Sequence, residues 1–337
     1  MASVRDIAKR AGVSTATVSR VLNNHPRVSD EARQKVLMVA NESRYVPTVG
    51  RRSTGNVAYV YTDVTTLDSP YDASIIQGIF ETLEQHELDL MVLNARQARQ
   101  TGETLTQLFM RKGVSGVVVR TTESTRHYCE SLADEGFPAV VVGDRFEGEH
   151  VRYVDYESRD ASREAVEHLI ELGHTRIALA TNVVEDTDHR DRIEGYKQAL
   201  SDAGLTIDPR LVIQTPAHLE GGSQLIRRIM TMADRPTAIF ITDPFTSLGA
   251  MNEARAMGLD IPRHLSLIGF DDAELRSSIY PKMSAVCQDA KRLGKVSLEL
   301  LSDLVNSPAN IRDTAPVGQS LRAWFEVNGT TAAVPAA

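Results

Sequence analysis

SVRDIAKRAGVSTATVSRVLNN, residues 3–24, divides into two short amphipathic helices separated by a glycine. Ser3 is placed as an N-cap, with Asp6 positioned to answer it from the first turn. Val4, Ile7, Ala8 and Ala11 then recur at three- and four-residue steps and form one apolar face. Gly12-Val13 breaks that helix, and Ser14 is placed to cap the next one. The second helix turns Val18, Val21 and Leu22 inward and leaves Thr15, Ala16, Thr17, Ser19 and Arg20 on its other side. A third helix follows: Ser29 caps it, Asp30 and Glu31 suit its positive end, and Ala32, Val36, Val39 and Ala40 close a small core. Two short helices joined by a glycine turn, the second polar and cationic where it is exposed, describe a helix-turn-helix.

Periodicity alone is equally compatible with an ordinary three-helix subdomain, and charge separates the two readings. Residues 1–55 carry Arg5, Lys9, Arg10, Arg20, Arg27, Arg33, Lys35, Arg44, Arg51 and Arg52 against Asp6, Asp30, Glu31 and Glu42, a net +6. The other residues hold −14, which makes the whole chain −8. A basic head on an acidic body is what attraction to phosphate requires, because each neutralised phosphate releases counterions. The acidic body disfavours DNA elsewhere and so orients docking through the head.

DIAKRAGVSTATVSRVLN, followed by Val28-Ser29, the Arg33, Lys35 and Val36 of the third helix and Tyr45-Val46-Pro47, resembles the headpiece of the LacI/GalR family of bacterial repressors. AVEHLIELGHTRIAL (165–179), RIEGYKQAL (192–200) and LSLIGFDD (265–272) match landmarks of the same family further along, so the resemblance spans nearly the whole chain. It implies a transcriptional regulator with an all-α helix-turn-helix headpiece. The rest would be an α/β two-lobed periplasmic-binding-protein-like core of two open parallel sheets, with a small effector bound between the lobes.

The remaining sequence reads consistently with that. From Val57 onward apolar runs alternate with amphipathic segments. Strands are expected at Val57–Tyr61, Leu88–Leu93, Gly116–Arg120 and Ala139–Val142, then near 176–180, 211–214, 238–242 and 266–270. Helices are expected near 73–86, 100–112, 124–136, 158–172, 189–203, 220–233 and 245–257. This alternation means open α/β sheets with right-handed crossovers, whose ligands bind outside the carboxyl ends of strands. The expected domains are a headpiece at 1–47, a linker at 48–56, a core at 57–331 and a disordered tail at 332–337. Within the core, one lobe takes 57–157 and 288–317 and the other 158–287 and 318–331.

Site residues follow from the resemblance, position by position. Thr15, Ala16 and Arg20 match the base-reading positions of the recognition helix, and Arg20 is suited to a guanine, a contact worth about 1–3 kcal/mol of discrimination. Ser14, Thr17, Asn23 and Arg27 match phosphate anchors, which position without specifying. Ser3 and Val4 open the helix that crosses the backbone. In the linker the family carries a hinge helix with a leucine wedge for the minor groove. Here the stretch is about five residues short of that pattern and lacks the leucine, while Arg51 and Arg52 remain for minor-groove or phosphate contact.

For the effector, Arg192 (before Ile-Glu-Gly-Tyr) and Asp271 (in Gly-Phe-Asp-Asp) match the family's binding Arg and Asp. Ser69, Tyr71, Asp144 and Gln288 fall at loop starts where a ligand would lie. Thr242 stands where the family commonly has Asn, so an amide's paired donor and acceptor are missing. Hydroxyl-matching side chains favour a sugar or sugar derivative, with a purine or other metabolite as the alternative.

A two-fold homodimer on a pseudo-palindromic double-stranded operator is expected, and the tail lacks the heptads of a tetramerising coiled coil. A sugar-binding protein or an enzyme on the same scaffold is the rival class. No H-E-x-x-H, G-x-S-x-G, GxxxxGK[ST] or GxGxxG motif supports an enzyme, and neither cofactor nor metal is expected. Cys129 and Cys287 lack metal spacing and read as buried thiols of a cytoplasmic protein. No apolar run reaches the roughly eighteen residues of a membrane span.

Overall fold

The computed structural model describes residues 3–22, 28–43, 55–63, 66–146, 148, 151–183, 186–306 and 318–334. At the N-terminus, helices α1 (Val4–Ala11), α2 (Thr15–Leu22) and α3 (Asp30–Glu42) enclose Ile7, Ala8, Ala11, Val18, Val21, Val36, Val39 and Ala40. Their starts are set by side chains. The Ser3 hydroxyl accepts from the Asp6 amide while Asp6 accepts from the Ser3 amide at 2.8 Å. The Ser3 hydroxyl also donates to Asp6 Oδ2 at 2.7 Å, and that bond first, then the one from the Ser3 amide, holds the Asp6 carboxyl below its usual range. Gly12 ends α1 in the left-handed region (φ 66°), a conformation that costs glycine least. Ser14 accepts from the Thr17 amide at 3.0 Å to start α2.

The core chain forms two six-stranded sheets. The first runs β11-β5-β4-β3-β1-β2 and is built from Asn56–Tyr61 (β1), Asp89–Asn94 (β2), Gly116–Arg120 (β3), Ala139–Val142 (β4), Val151–Glu157 (β5) and Gly318–Arg322 (β11). The second runs β12-β10-β9-β8-β6-β7, from Ile177–Asn182 (β6), Val212–Thr215 (β7), Ala238–Ile241 (β8), Ser266–Asp271 (β9), Ser284–Cys287 (β10) and Trp324–Glu326 (β12). β1 to β5 pair in parallel in the first sheet, as do β6 to β10 in the second, where β12 returns antiparallel along β10, so the second sheet is mixed at that edge.

The crossover helices include α4 (Pro70–Leu83), α6 (Leu105–Arg111) and α7 (His127–Glu135) beside the first sheet. The second sheet has α8 (Arg159–Glu171), α9 (Thr187–Asp202), α10 (Leu219–Met230) and α11 (Pro244–Ala256). A short helix, α5 (Ala95–Ala98), follows β2, and α12 (Ala290–Asn306) follows β10. Central strands are buried, β3 up to half-buried Arg120 and β4, β8 and β9 throughout, as expected of parallel strands covered on both faces.

The chain divides into two units, Met1–Thr65 with Ile79–Val154 and Lys295–Gln319, and Thr66–Gly78 with Asp155–Gly294 and Ser320–Ala337. Assignment of Thr66–Gly78 to the second unit differs from the expected boundaries, which gave it to the first lobe.

The end of the chain corrects another expectation. Ala332–Val334 are ordered, not a loose tail. Thr330, fully buried, exchanges bonds with the Leu267 backbone (2.8 and 2.6 Å), His174 Nε2 lies 3.0 Å from the Ala332 carbonyl, and the Val334 amide donates to Leu172 at 3.0 Å. Burial lowers the His174 pKa, which keeps that ring neutral where it ties the tail to the sheet. Both cysteines are buried free thiols, each pushed up to about 12 by desolvation. Among the described residues no helix is long and apolar enough to cross a membrane, and no group of three or more His, Cys, Asp or Glu could hold a metal.

Candidate functional site

Two sites are built by these elements. The first is the outer side of α2. With Val18 and Val21 buried against α1 and α3, the 3.6-residue repeat leaves Thr15, Ala16, Ser19 and Arg20 exposed, next to exposed Ser14 and half-buried Thr17. Ser3 is exposed and Val4 half-buried at the start of α1. Elsewhere in the headpiece, Arg10 of α1 pairs with Glu42 of α3, and Lys35 with Glu31 within α3, each at 2.8 Å between exposed side chains. Such pairs contribute little to stability. Asn23, Arg27, Arg51 and Arg52 lie outside the described residues.

The second site gathers at the carboxyl ends of β8, β9 and β10, adjacent strands of the second sheet. Arg192 reaches it from the second turn of α9, whose start is fixed by Asp186 accepting from the His189 amide at 2.9 Å. α9 can lie close to α8 because residue 195 is glycine: a Cβ there would collide with the Arg159 carbonyl. One residue on, Tyr196 is anchored in the core through its hydroxyl, which donates to the Ile177 carbonyl at 2.9 Å. Arg192 is thereby held, 5% exposed, with Nη1 donating to the Thr242 carbonyl at 2.7 Å and its guanidinium 3.5 Å from the Phe270 ring centroid. Asp188 lies 3.8 Å from Nη2.

Gln288, at the end of β10, donates through Nε2 to Asp272 Oδ1. Three polar atoms of this cluster are buried with no hydrogen-bond partner among the described residues: Arg192 Nε, Thr242 Oγ1 and Gln288 Oε1. Buried polar atoms without partners cost free energy in the absence of a ligand. A donor from α9 beside a hydroxyl and an acceptor at the ends of β8 and β10 is what a small polar ligand would satisfy.

Of the effector positions expected from sequence, Arg192, Thr242 and Gln288 therefore come together. Asp271 does not offer its carboxylate to them. Oδ1 accepts from the Ala273 and Leu275 amides (3.2 and 2.9 Å), and Oδ2 accepts from the Arg276 amide and Nη1 (3.1 and 2.8 Å). The carboxyl facing the cluster is its neighbour Asp272, because consecutive side chains at a strand end point to opposite faces. Burial pushes Asp272 up to about 7. Arg192 and the Gln288 bond act against that rise, while Asp243 and Asp271 add to it. Asp144 belongs to the first unit, where it is buried and receives both bonds of Arg126 Nη1 (3.2 and 3.0 Å). Ser69 and Tyr71 stand at the start of α4, Ser69 half-buried and Tyr71 buried.

Comparison with known proteins bears on both sites. Residues 3–48 match the model of "Bacterial regulatory proteins, lacI family", and residues 166–321 match the periplasmic binding protein-like domain. The ribose operon repressor of Haemophilus influenzae is 31% identical over 317 residues, covering 91% of this chain and 93% of that one. The chain belongs to the LacI family. The transcriptional repressor PurR of H. influenzae (strain PittEE) is 30% identical over 90% of this chain and 91% of its own length. The solved complex of the transcriptional regulator CelR with cellobiose superposes at a TM-score of 0.72, with 27% identity, over 98% of this chain and all of that one. This LacI-family chain is thus a DNA-binding transcriptional repressor with a ligand-binding domain; its relatives are repressors and not enzymes.

Proposed function

We propose that this LacI-family repressor binds a pseudo-palindromic operator as a homodimer in the cytoplasm and releases or grips it according to a sugar-like effector held by the Arg192–Thr242–Gln288 cluster. The observation that carries the DNA side is the exposed row of Thr15, Ala16 and Arg20 on α2, opposite buried Val18 and Val21. Thr15, Ala16 and Arg20 face base edges, Ser14, Thr17, Asn23 and Arg27 hold phosphates, and Ser3 and Val4 open the helix that crosses the backbone. Arg51 and Arg52 supply minor-groove or phosphate contact without a leucine wedge. Large apolar side chains left exposed on both units, Phe80 and Val92 on one and Tyr280 and Trp324 on the other, support pairing of two chains.

For the effector, support comes from the three unpartnered polar atoms, whose mixed donor and acceptor character suits hydroxyl groups, and from the likeness to a ribose operon repressor and to a regulator solved with cellobiose. The likeness to PurR keeps a purine as the second reading. Selection of bound sites from random duplex DNA, followed by titration of the selected operator with sugars and purine bases, tests both halves. Two-fold related half-sites and a sugar-dependent change in affinity are expected. Recovery of no common sequence would defeat the DNA reading, and a response to a purine alone would defeat the sugar reading. In the same assay Arg20→Ala lowers preference for the selected site by about 1–3 kcal/mol while barely changing binding to unrelated duplex.

A further inference from the structure

The chain leaves one unit for the other after Val154, Gly294 and Gln319, and within α4 after Gly78. Just inside the second unit these segments are tied to one another. Tyr156, two residues past the first of those divisions and 3% exposed, donates its hydroxyl to the Asp289 carbonyl at 3.1 Å. Ser320, the residue that follows the last, donates its hydroxyl to the carboxyl of fully buried Asp155 at 2.6 Å. The Ala323 amide donates to the Glu157 carbonyl at 3.1 Å. Where α12 runs out of the unit, a Cβ on Gly294 would overlap the Ile75 carbonyl, so α12 and α4 meet backbone to backbone.

Among these ties, the Tyr156 bond lies next to the ligand cluster. Asp289 follows Gln288, whose amide donates to the Asp271 carbonyl at 3.0 Å and whose side chain donates to Asp272. Asp289 also starts α12. Its Oδ1 accepts from the Arg292 amide at 2.9 Å, and its carbonyl takes the Leu293 amide at 3.1 Å beside the Tyr156 hydroxyl. Tyr156 belongs to β5, and the part of that strand from Val151 to Val154 pairs with β4 in the first unit, the unit that contains α1 to α3. One buried hydroxyl therefore joins the residue after Gln288 to a strand bonded into the unit that carries the headpiece. Burial pushes its pKa up to about 12, so it keeps the proton it donates. Packed interiors switch between arrangements instead of deforming smoothly, which makes such a tie a mechanical link.

We propose, resting on the effector and operator reading above, that the Tyr156 hydroxyl is a positioning group for regulation: it makes the segment carrying Gln288 and strand β5 shift together. It acts through Asp289 and not by touching effector or DNA. Without it each ligand still binds, and the coupling between them shrinks.

The test is a coupling measurement on the full chain with the selected operator and, as probes, D-ribose, cellobiose and hypoxanthine. Operator affinity is titrated by fluorescence anisotropy with and without saturating probe, for wild type, Tyr156→Phe and Ser302→Ala. Ser302 lies further along α12 in the first unit, and its hydroxyl is 2.9 Å from His86 Nδ1, so its removal is a comparable loss away from these segments. In wild type a probe is expected to change operator affinity by a factor in the usual range of about 5- to 150-fold, and Tyr156→Phe to cut that factor to less than about a third. Affinities for probe alone and for operator alone are expected to stay within about twofold of wild type, and Ser302→Ala to leave the factor intact. An unchanged factor in Tyr156→Phe, or an equal fall in Ser302→Ala, overturns the proposal.

A second measurement needs no probe. Amide hydrogen exchange over residues 284–294 is followed with and without operator. Operator is expected to alter it in wild type and not in Tyr156→Phe; no response in wild type, or a response preserved in the variant, also overturns the link. The outcomes separate this proposal from the functional reading beneath it. If no probe alters operator binding while exchange responds to operator, the effector reading fails and the tie stands. If a probe regulates wild type and Tyr156→Phe alike, the reading stands and the tie fails.

Discussion

Asp271 and Asp272 are neighbours with opposite employment, and the difference shows what one residue's environment decides. Asp271 receives three backbone amides and an arginine and shapes the turn after β9. Replacing it with Asn leaves the Arg276 charge with only Glu326 as a partner, at 2.8 Å. Urea unfolding of Asp271→Asn should show a loss of about 3 kcal/mol, the usual cost of breaking a buried pair. Asp272 acts on stability with the other sign. Its folded pKa of about 7 lies above the unfolded value of 3.8, so the native state holds more protons between those limits. Its contribution therefore falls as pH rises from about 4 to 7 and stays flat above that. The melting temperature of Asp272→Asn should gain on wild type across that window, and a constant difference would refute the assignment. The sequence motif pointed to Asp271 because it shows two adjacent carboxyls but not which face of the strand end each one takes. That assignment depends on the packing of β9 between its neighbours.

At the scale of elements, α10 and α11 pack backbone against backbone. A Cβ on Gly222 would overlap the Thr246 carbonyl, and one on Gly249 the Leu219 carbonyl. Gly222→Ala should destabilise by about 3 kcal/mol, at the upper end for overpacking, because the obstacle is backbone and cannot rotate away. A chemical-denaturation midpoint equal to wild type would show that the two helices are free to separate. Elements of this kind were legible where the pattern was strong. β3 and β4 fall on the expected residues, and α8 to α11 begin and end within about three residues of the periodicity.

What escaped were α12, β10 and several short or contextual elements. β5 mixes charged residues into its apolar run; β11 is a polar-rich strand and β12 a three-residue one whose partners lie far along the chain, and periodicity cannot see a distant partner. The same holds for Ala332–Val334, a stretch of small residues with no pattern of its own, fixed by bonds to His174 and Leu172. In the headpiece the caps at Ser3, Gly12 and Ser14 were readable, because these residues and Asp6 act on positions only three or four away.

At the scale of the whole molecule the chain is a basic reader carried by an acidic body, and regulation is a coupling free energy between them. If an effector alters operator affinity by some factor, operator must alter effector affinity by the same factor, typically about 5- to 150-fold. The polar cluster of the second unit was half legible: Arg192, Thr242 and Gln288 by motif, Asp272 only once the fold was known. Its proposed role as the effector seat and the proposed role of α2 as the operator reader are joined in one experiment. Effector affinity is measured by calorimetry for the full chain, free and saturated with its selected operator, alongside Arg192→Ala. The account predicts an affinity that differs at least about fivefold between the two states for wild type, and loss of effector binding in Arg192→Ala with operator binding retained. An effector affinity identical with and without operator would contradict it.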